Sequence, residues 1–588
     1  MKTLLPAALA FLTVPTILAG ETPDPSALPS PDPAPDYVYI PAAQTPDDIY
    51  VATPSKPKSS ENKVSVHGSV QADILFPETD YEIDNTVYDD KVLGNIFADV
   101  ALYSKYIDAG LRFEYLQHPL PGFEPDYKGW GVPNIFVKGK FDKIEVTLGD
   151  IYDQFGSGFI LRTYEDRALG IDNSIRGARV STRNINGMRF TVLGGVQRRF
   201  WDWSLKSQVY GANAEVYLNQ LISKLSDHGW SWMWGASYVA KHEEEEDIYV
   251  PGTVYKLHLP KVVGAFDIRT QFMKKGFDVL LEYAWKSQDP SFDNDYTYAN
   301  GNALMVSASY TRSGMGILLQ AKRSDNMAFR SKRSQDLSSA FINNMPPFAY
   351  QSTYALAAMY PYATQAAPGE WAFSGNFTYK FKRKTPLGGK YGTTLTVNAA
   401  YIRGLDRKNP EQLFHGSLYG TNGGKTSFFG MGETYYRDID VMIEKRIVRD
   451  FQLNFSYVNQ VYNKTILEGH GGNVHANIFI LDGKWTISKK VTGRMELQYL
   501  QSKQDYKDWA YGLIEVSVLP YLMFTVSDMW NCGDTGTHYY MGGITGTYKA
   551  NRLMLSYGRT RAGFNCSGGV CRWVPATHGF QISYNYNF

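Results

Sequence analysis

The chain has 588 residues, and its 59 Lys and Arg balance 58 Asp and Glu to a net charge of +1. This balance, with no basic block, argues against nucleic-acid binding, which needs a concentrated positive surface. No run of about 18 apolar residues follows the N-terminal region, which excludes ordinary helical membrane spans. Aromatic residues make up 14% of the chain and favour a β-barrel, since barrels place Tyr and Trp at both membrane interfaces.

The N-terminal residues have the pattern of a secretory signal peptide followed by a linker. Met1 and Lys2 give a positive start, the stretch 4–18 is almost wholly apolar, and cleavage is expected near Ala19 or Gly20. We therefore predict a signal peptide over 1–20. Residues 21–62 are rich in Pro, Asp, Ser and Ala, so they lack the apolar surface needed for a core, and we predict a disordered periplasmic linker.

From residue 63 onward we predict a single β-barrel that extends to residue 588. Apolar and polar residues alternate with a period of two, which is typical of strands with two different faces. Ile144, Val146 and Leu148, for example, alternate with Glu145 and Thr147. The same alternation recurs near 64–76, 451–457, 494–499 and 580–588.

The links between these strands alternate between short and long. Tight links near 104–106, 141–142, 274–276 and 312–314 alternate with long polar stretches such as 324–370. In an up-and-down barrel this order puts periplasmic turns on one side and extracellular loops on the other. We predict an all-β fold, one large closed antiparallel transmembrane barrel of about 24 strands (22–26), with both termini in the periplasm of a Gram-negative bacterium.

Three parts of the chain leave the strand count or the link pattern open. The link 219–229 is long for its side and is a candidate for a helical turn, and 385–390 is intermediate. The stretch 350–360 is a candidate for extra strands within the longest loop. An even total is expected for a bacterial barrel.

The last strand ends in alternating aromatic residues. Tyr584, Tyr586 and the terminal Phe588 resemble the C-terminal signal by which outer-membrane barrels are recognised for insertion. The barrel-insertion machinery is therefore an expected partner during biogenesis, together with the lipid and surface glycolipid of the outer membrane.

The three cysteines, Cys532, Cys566 and Cys571, all fall in the last two long loops. An exported protein meets an oxidising compartment, so we favour one disulfide among them over free thiols, with the pairing left open. Their scattered spacing does not suit zinc. We predict neither a metal nor a cofactor.

The densest polar pattern lies in residues 149–179 and contains charges of both signs. The candidate charges of a loop within the lumen are Arg162, Glu165, Asp166, Arg167, Asp172, Arg176 and Arg179. They either set an electric field across a constriction or tie the loop to the wall by ion pairs, and the sequence favours neither alternative. The acidic run 242–247 is more typical of a solvated charge cluster than of a cation site at surface glycolipid.

No compact catalytic motif is present. Gly156-Ser157-Gly158 is not the nucleophile turn of hydrolases, because no strand-to-helix context surrounds it. We therefore expect a protein that is not an enzyme.

Two stretches, 153–166 (DQFGSGFILRTYED) and 565–580 (NCSGGVCRWVPATHGF), carry a resemblance. With them the chain resembles a family of large outer-membrane proteins of Bacteroidota that has no established activity. The resemblance implies location and fold. The chain departs from the TonB-dependent transporters of such bacteria, since the roughly forty residues before the first strand are too few and too Pro-rich for a folded plug.

Our first functional hypothesis is a porin-like channel or facilitator that passes a solute or apolar ligand, with the loops 149–179 or 324–370 partly closing a wide lumen. The alternative is a non-enzymatic accessory barrel in an outer-membrane assembly, secretion or surface-lipoprotein complex. Its partners would be other outer-membrane proteins or surface lipoproteins.

Overall fold

The computed structural model describes residues 64–85, 88–183, 185–408, 419–424, 426–567 and 570–588. All of them belong to the unit that comprises Val38–Phe588. The predicted signal peptide (1–20) and linker (21–62) lie outside the described residues.

Twenty-four strands of the described chain form one antiparallel sheet, as predicted. They are β1 (Ser65–Pro77), β2 (Leu93–Tyr103), β3 (Ile107–His118), β4 (Gly129–Lys140), β5 (Ile144–Ile151), β6 (Ile175–Thr182), β7 (Met188–Gln197), β8 (Ser207–Tyr217), β9 (Ser231–Glu243), β10 (Val262–Lys274), β11 (Phe277–Lys286), β12 (Gly301–Arg312), β13 (Met315–Asp325), β14 (Glu370–Phe381), β15 (Thr393–Arg407), β16 (Thr426–Val448), β17 (Phe451–Asn463), β18 (Asn473–Thr486), β19 (Val491–Ser502), β20 (Trp509–Val518), β21 (Leu522–Trp530), β22 (His538–Tyr548), β23 (Asn551–Thr560) and β24 (Thr577–Asn587). Each strand pairs with its neighbours in sequence, and β1 also pairs with β24, so the sheet closes into a barrel.

Helical structure is confined to short links in the described part of the chain. The helices α1 (Leu218–Leu221) and α2 (Ser223–Asp227) join β8 to β9, where a helical turn was expected, and α3 (Lys464–Glu468) follows β17. Single 3₁₀ turns occupy Pro125–Tyr127 and Phe292–Asn294. None of these helices has the length and apolar character required to cross a bilayer.

The links divide between two rims, which we call the turn rim and the loop rim. The turn rim carries mostly tight links such as 275–276, 449–450 and 519–521, and its two longer links are 218–230 and 382–392, as the sequence indicated. The loop rim carries the long links, which are 78–92, 119–128, 152–174, 198–206, 244–261, 287–300, 326–369, 408–425, 464–472, 503–508, 531–537 and 561–576. The sequence did not distinguish 503–508, and 350–360 adds no barrel strand.

Alternation along each strand gives the barrel an apolar exterior. In β21, Leu522, Phe524 and Val526 are exposed, while the intervening Thr525 is half-buried on the inward face. The partner residues on β20 and β22, Ile514 and Ile544, are exposed as well. Exposed apolar residues of this kind recur around the wall and form a band that suits contact with lipid.

The two ends of the described chain meet at the turn rim. Gly68 and Phe588 exchange two backbone hydrogen bonds of 3.0 and 2.9 Å. A Cβ atom on Gly68 would overlap the Phe588 ring, so glycine permits this close approach. The Tyr586 and Phe588 rings stack 5.5 Å apart, and the Tyr584 hydroxyl donates to Asn551 at 2.7 Å. The proposed insertion signal therefore forms part of the seam that closes the barrel.

The cysteines lie in two different links of the loop rim. Cys532 carries a free thiol. Cys566 and Cys571 are directly opposed partners in a hairpin formed by Gly563–Ser567 and Val570–Val574. Directly opposed positions of an antiparallel pair have Cα atoms about 4.5–5.5 Å apart, within the range of a disulfide.

We expect Val526→Arg to destabilise the membrane-inserted barrel by about 2–4 kcal/mol, because Val526 lies midway along β21 on the lipid-facing side. Unfolding of the protein in liposomes by urea measures the change. Thr525→Arg, one residue away on the inward face, is the matched control and should cost far less. Equal costs for the two variants would contradict the assignment of the faces.

We expect the single disulfide to join Cys566 and Cys571, because these two residues are opposed in the hairpin and Cys532 is free. Peptide mass spectrometry of non-reduced protein should show the 566–571 link, and a maleimide should label Cys532 alone. A link that includes Cys532 would contradict this assignment.

Candidate functional site in the barrel lumen

Two links of the loop rim fold back into the lumen. We call 152–174 the first inward loop and 326–369 the second inward loop. Their apolar side chains, among them Phe159, Ile160, Phe329 and Leu356, are 0% exposed. They belong to one hydrophobic cluster with inward-facing wall residues of β9–β12, which include Val239, Val263, Ala284 and Ala303. The loops therefore share a core with the inner surface of the barrel.

The two inward loops also bind each other through their backbones. The Arg162 amide donates to the Ile342 carbonyl at 2.9 Å, and the Asn344 amide donates to the Gly158 carbonyl at 3.2 Å. The Asn343 side chain donates to the carbonyls of Phe159 and Met327 at 2.8 and 2.7 Å. These bonds satisfy backbone groups that burial removes from water, so the loops form a single plug.

Three buried lysines of the wall bind the second inward loop. The Lys241 ammonium group donates to the Arg330 carbonyl at 2.8 Å, and that of Lys322 donates to the Pro346 carbonyl at 2.6 Å. Lys286 donates to the Ala328 carbonyl. The lysine charges are compensated, since Lys241 lies 2.9 Å from Asp289 and Lys322 lies 2.9 Å from Glu370. Alternate strands, β9, β11 and β13, thus each supply one lysine anchor.

The tip of the first inward loop is held by a wall carboxylate. The amide and hydroxyl of Ser157 donate to Glu282 on β11 at 2.9 and 2.6 Å. Gly156, just before it, has a φ of +53°, and a Cβ there would overlap the Glu282 carboxylate. The sequence Gly156-Ser157-Gly158 therefore forms a turn that is anchored to the wall by the Glu282 carboxylate.

The second inward loop reaches the opposite wall. The Leu356 amide donates to the Gln498 side chain on β19 at 2.9 Å. The Gln460 side chain on β17 donates to the Ala357 carbonyl at 3.0 Å, and the Tyr354 hydroxyl donates to Asp482 on β18 at 3.2 Å. Because the lysine anchors lie on β9–β13, the loop is bound to two well-separated sectors of the lumen wall.

An ion-pair network joins the first inward loop to β2 and β3. Arg112 of β3 lies 2.5 Å from Glu165 and also contacts Asp172. Arg198, in the next loop-rim link, lies 2.6 Å from Asp172, and Arg167 lies 2.7 Å from Asp99 of β2. Three of the predicted charges, Glu165, Arg167 and Asp172, therefore form ion pairs with the surrounding structure.

The other four predicted charges occupy different positions. The Arg162 guanidinium lies 5.3 Å from the Tyr164 ring, and Asp166 accepts a 3.1 Å hydrogen bond from the Leu169 amide within the loop. Arg179 of β6 pairs with Asp153 at 2.6 Å.

Arg176 pairs with Asp150 at 2.9 Å and lies over the Trp203 ring at 3.9 Å. Alternation along β6 puts Arg176 on the same face as the exposed Val180, away from the lumen. The seven charges are thus not brought together in one site.

The acidic run 242–247 contacts nearby lysines. Asp247 lies 2.6 Å from Lys256, and Glu246 lies 3.9 Å from Lys332 of the second inward loop. Glu243 is buried and pairs with Arg333 at 3.0 Å. Within the described ranges, no three His, Cys, Asp or Glu side chains are grouped as a metal site would require.

Sequence reasoning missed the lysine anchors and Glu282. The sequence feature that could have indicated them is a charged residue at an inward-facing position near the loop-rim end of a strand. Lys241 of β9 and Lys286 of β11 are examples. The signal is weak, since inward positions of a barrel are often polar. Nearer the turn rim the inward face is indeed polar, with Asn376 donating to Asn398 at 2.6 Å.

Solved structures from two bacteria are similar to the chain. The siderophore receptor PirA from Pseudomonas aeruginosa is 10% identical, with 90% of this chain and 81% of that chain covered and a TM-score of 0.39. OccAB3 from Acinetobacter baumannii is 8% identical, covers 89% and 99%, and has a TM-score of 0.35. The outer membrane protein opdK from Pseudomonas aeruginosa is 12% identical, covers 79% and 99%, and has a TM-score of 0.34. At these identities and scores, no residue role can be transferred.

The chain matches no curated protein in a sequence comparison. One family profile does match it, over residues 40–588, and so includes every strand of the barrel. The chain therefore belongs to the DUF6029 family, a family of unknown function.

Proposed function

We propose that the protein is an outer-membrane channel whose own inward loops close the lumen, and that solute passes when these loops move. The exposed apolar band on the closed barrel supports a membrane location. The resemblance of residues 153–166 and 565–580 together to large outer-membrane proteins of Bacteroidota supports a Gram-negative outer membrane. We assign no catalytic role to any residue.

The observation that carries this proposal is the attachment of the second inward loop to two wall sectors by polar contacts. A barrel of 24 strands encloses more space than wall side chains can fill, so the lumen must hold water or a plug. Hydrogen bonds from Lys241, Lys322 and Gln460 to the loop can break and re-form singly, whereas each wall strand is held by continuous ladders of backbone hydrogen bonds. The plug is therefore suited to reversible opening.

We place both chain ends of the barrel in the periplasm. The start of β1 and the terminal Phe588 both lie at the turn rim. Outer-membrane barrels have short periplasmic turns and longer extracellular loops, which supports this orientation. The linker (21–62), which remains after cleavage of the signal peptide (1–20), would then precede the barrel on the periplasmic side.

A second function, an accessory barrel within an outer-membrane complex, is favoured by one surface. β16 extends past its last pairing with β17, Tyr436 with Tyr462, so that 426–435 project at the loop rim. Phe428 and Met431 are exposed there, and Phe429 is 80% exposed. Exposed apolar patches of this kind suit contact with another protein or a surface lipoprotein. Mild-detergent purification yielding a stoichiometric partner that Phe429→Ser releases would favour this function.

We expect replacement of residues 328–365 by a short Gly-Ser linker to open the channel. The Met327 amide donates to the Ala366 carbonyl at 2.9 Å, so the base of the loop is already closed and a short linker can join it. In planar bilayers, the purified variant should show steady openings with a conductance several-fold above that of the intact protein.

The control for this deletion is removal of Gly252, Thr253 and Val254, a turn of link 244–261 in which Val254 is 87% exposed. This variant should conduct like the intact protein. A deletion variant that folds, as judged by its heat-modifiable gel mobility, and remains silent would contradict the channel.

We expect Lys286→Met to increase the ratio of open to closed time by about tenfold to a hundredfold, because a hydrogen bond to a charged group contributes about 1.5–3 kcal/mol. Single-channel recording measures this ratio. Arg552→Met is the matched control, since Arg552 has the inward parity of β23 near the turn rim and is exposed there. Equal ratios for both variants would show that the lysine anchors do not hold the plug.

A further inference from the structure

Two hydrogen-bond donors at the loop rim, the buried Trp509 and the half-buried Arg561, lack an acceptor among the described residues. The Trp509 side chain at the start of β20 is 2% exposed, and its indole N–H has no hydrogen-bond partner. The Arg561 guanidinium lies 5.9 Å from the Trp509 ring and makes no hydrogen bond or ion pair with a described residue. Buried donors of this kind are rare in native proteins and require an explanation.

The acidic groups nearest to this pair already have partners. Asp505 accepts from the Lys464 ammonium group at 2.7 Å and from the Tyr360 hydroxyl at 3.0 Å. Glu468 lies 3.7 Å from Lys464. Burial lowers the pKa of the Arg561 guanidinium, although guanidinium groups remain charged in proteins. The Arg561 guanidinium thus has no acceptor at hydrogen-bond distance among the described residues, although the charges of Asp505 and Glu468 act on it.

The walls around the two donors are aromatic and apolar. Tyr506 and Tyr539 lie 6.4 and 6.0 Å from the Trp509 ring. Tyr511, Met529 and Tyr539 are partly buried against the core of the lumen. Tyr506 is 48% exposed, so one side of the pocket is open to the solvent at the loop rim.

This apolar surface continues along the lumen wall toward the turn rim. Met529 pairs with Tyr539, and Ser527 pairs with Met541 one step further along β21 and β22. Met541 shares the inward face with Tyr539, because Tyr540 and Ile544 are exposed on the opposite face. A water-filled barrel has a polar inner face, so inward methionine and tyrosine on neighbouring strands indicate an apolar ligand. Methionine adapts its shape to such ligands.

We infer that the pocket formed by Tyr506, Trp509, Met529, Tyr539, Met541 and Arg561 binds a small carboxylate with an apolar body. The carboxylate accepts hydrogen bonds from Arg561 and from the Trp509 indole, and the body lies against the methionine and tyrosine side chains. A charge-assisted hydrogen bond to guanidinium is among the strong ones, and it strengthens further away from water. The inference rests on the proposed channel, because it names the class of solute that the lumen admits.

The test measures binding of 4-phenylbutanoate to the full chain in lipid nanodiscs by equilibrium dialysis, with empty nanodiscs subtracted. We expect saturable binding of this acid and much weaker binding of 4-phenylbutan-1-ol, which has the same body without the charge. Arg561→Gln should weaken binding of the acid roughly tenfold or more, as expected for loss of a hydrogen bond to a charged group. It should leave binding of the alcohol unchanged.

Two further variants keep the result interpretable. Arg552→Gln is the matched control, since Arg552 shares the inward parity of β23 at the turn rim and is exposed, and it should bind the acid like the intact protein. Trp509→Phe retains an aromatic ring and removes the N–H, and it should weaken binding of the acid more than binding of the alcohol. Folding of each variant is checked by heat-modifiable mobility.

Equal binding of acid and alcohol, or equal effects of Arg561→Gln and Arg552→Gln, would overturn the inference. Dialysis requires no opening of the plug, so its outcome is independent of the conductance recordings. A protein that conducts after loop removal but does not bind the acid would keep the channel and lose this ligand class. A protein that binds the acid but never conducts would keep this ligand class and contradict the channel.

Discussion

The structure depends on one constraint: every backbone amide and carbonyl within the membrane must find a hydrogen-bond partner in the protein itself. In lipid no water is available to an exposed amide or carbonyl, so a sheet must pair its first strand with its last. Here β1 and β24 meet this requirement, and Gly68 and Phe588 exchange hydrogen bonds at the seam. Because the diameter of a barrel grows with its number of strands, 24 strands closed in this way enclose a wide lumen.

The width of the lumen creates the second requirement, which the loops meet. Wall side chains alone cannot fill a lumen of this size, and the inward loops supply the missing apolar volume through residues such as Phe159, Phe329 and Leu356. Loops carry unpaired backbone groups into a buried space, and each such group needs a partner. The wall provides these partners as lysine ammonium groups on one side and glutamine side chains on the other. The plug is therefore held against the wall both by an apolar core that it shares with the wall and by these polar contacts.

The same reasoning separates what the sequence predicts from what it does not. Strand number, the seam and the two rims follow from the period of two and from link lengths, which are local properties of the chain. The link 503–508 was missed because it is as short as a turn. Contacts of the lysine anchors were not predictable, since Lys241 and Lys286 bind carbonyls of residues 328–330 that lie far away in sequence and carry no side-chain signature.

The charges of the first inward loop illustrate a partial success. Composition alone showed that Glu165, Arg167 and Asp172 belong to one dense polar segment, yet their partners, Arg112, Arg198 and Asp99, come from other elements of the barrel. Arg176 was placed with them by proximity in sequence, although strand alternation turns it to the other face. The partner of each charged residue depends on which distant segments pair in the barrel, and a single sequence does not show that pairing.

The central claim is that the second inward loop lies across the lumen in the native membrane. It is tested most directly by a cysteine pair, Ala357→Cys with Gln460→Cys, introduced with Cys532→Ser and examined in intact outer membranes. The Gln460 side chain lies 3.0 Å from the Ala357 carbonyl, so a short bis-methanethiosulfonate reagent should cross-link this pair and leave Ala357→Cys with Asn454→Cys, further along β17, unlinked. Absence of the first cross-link, with both cysteines present and the barrel folded, would contradict the account.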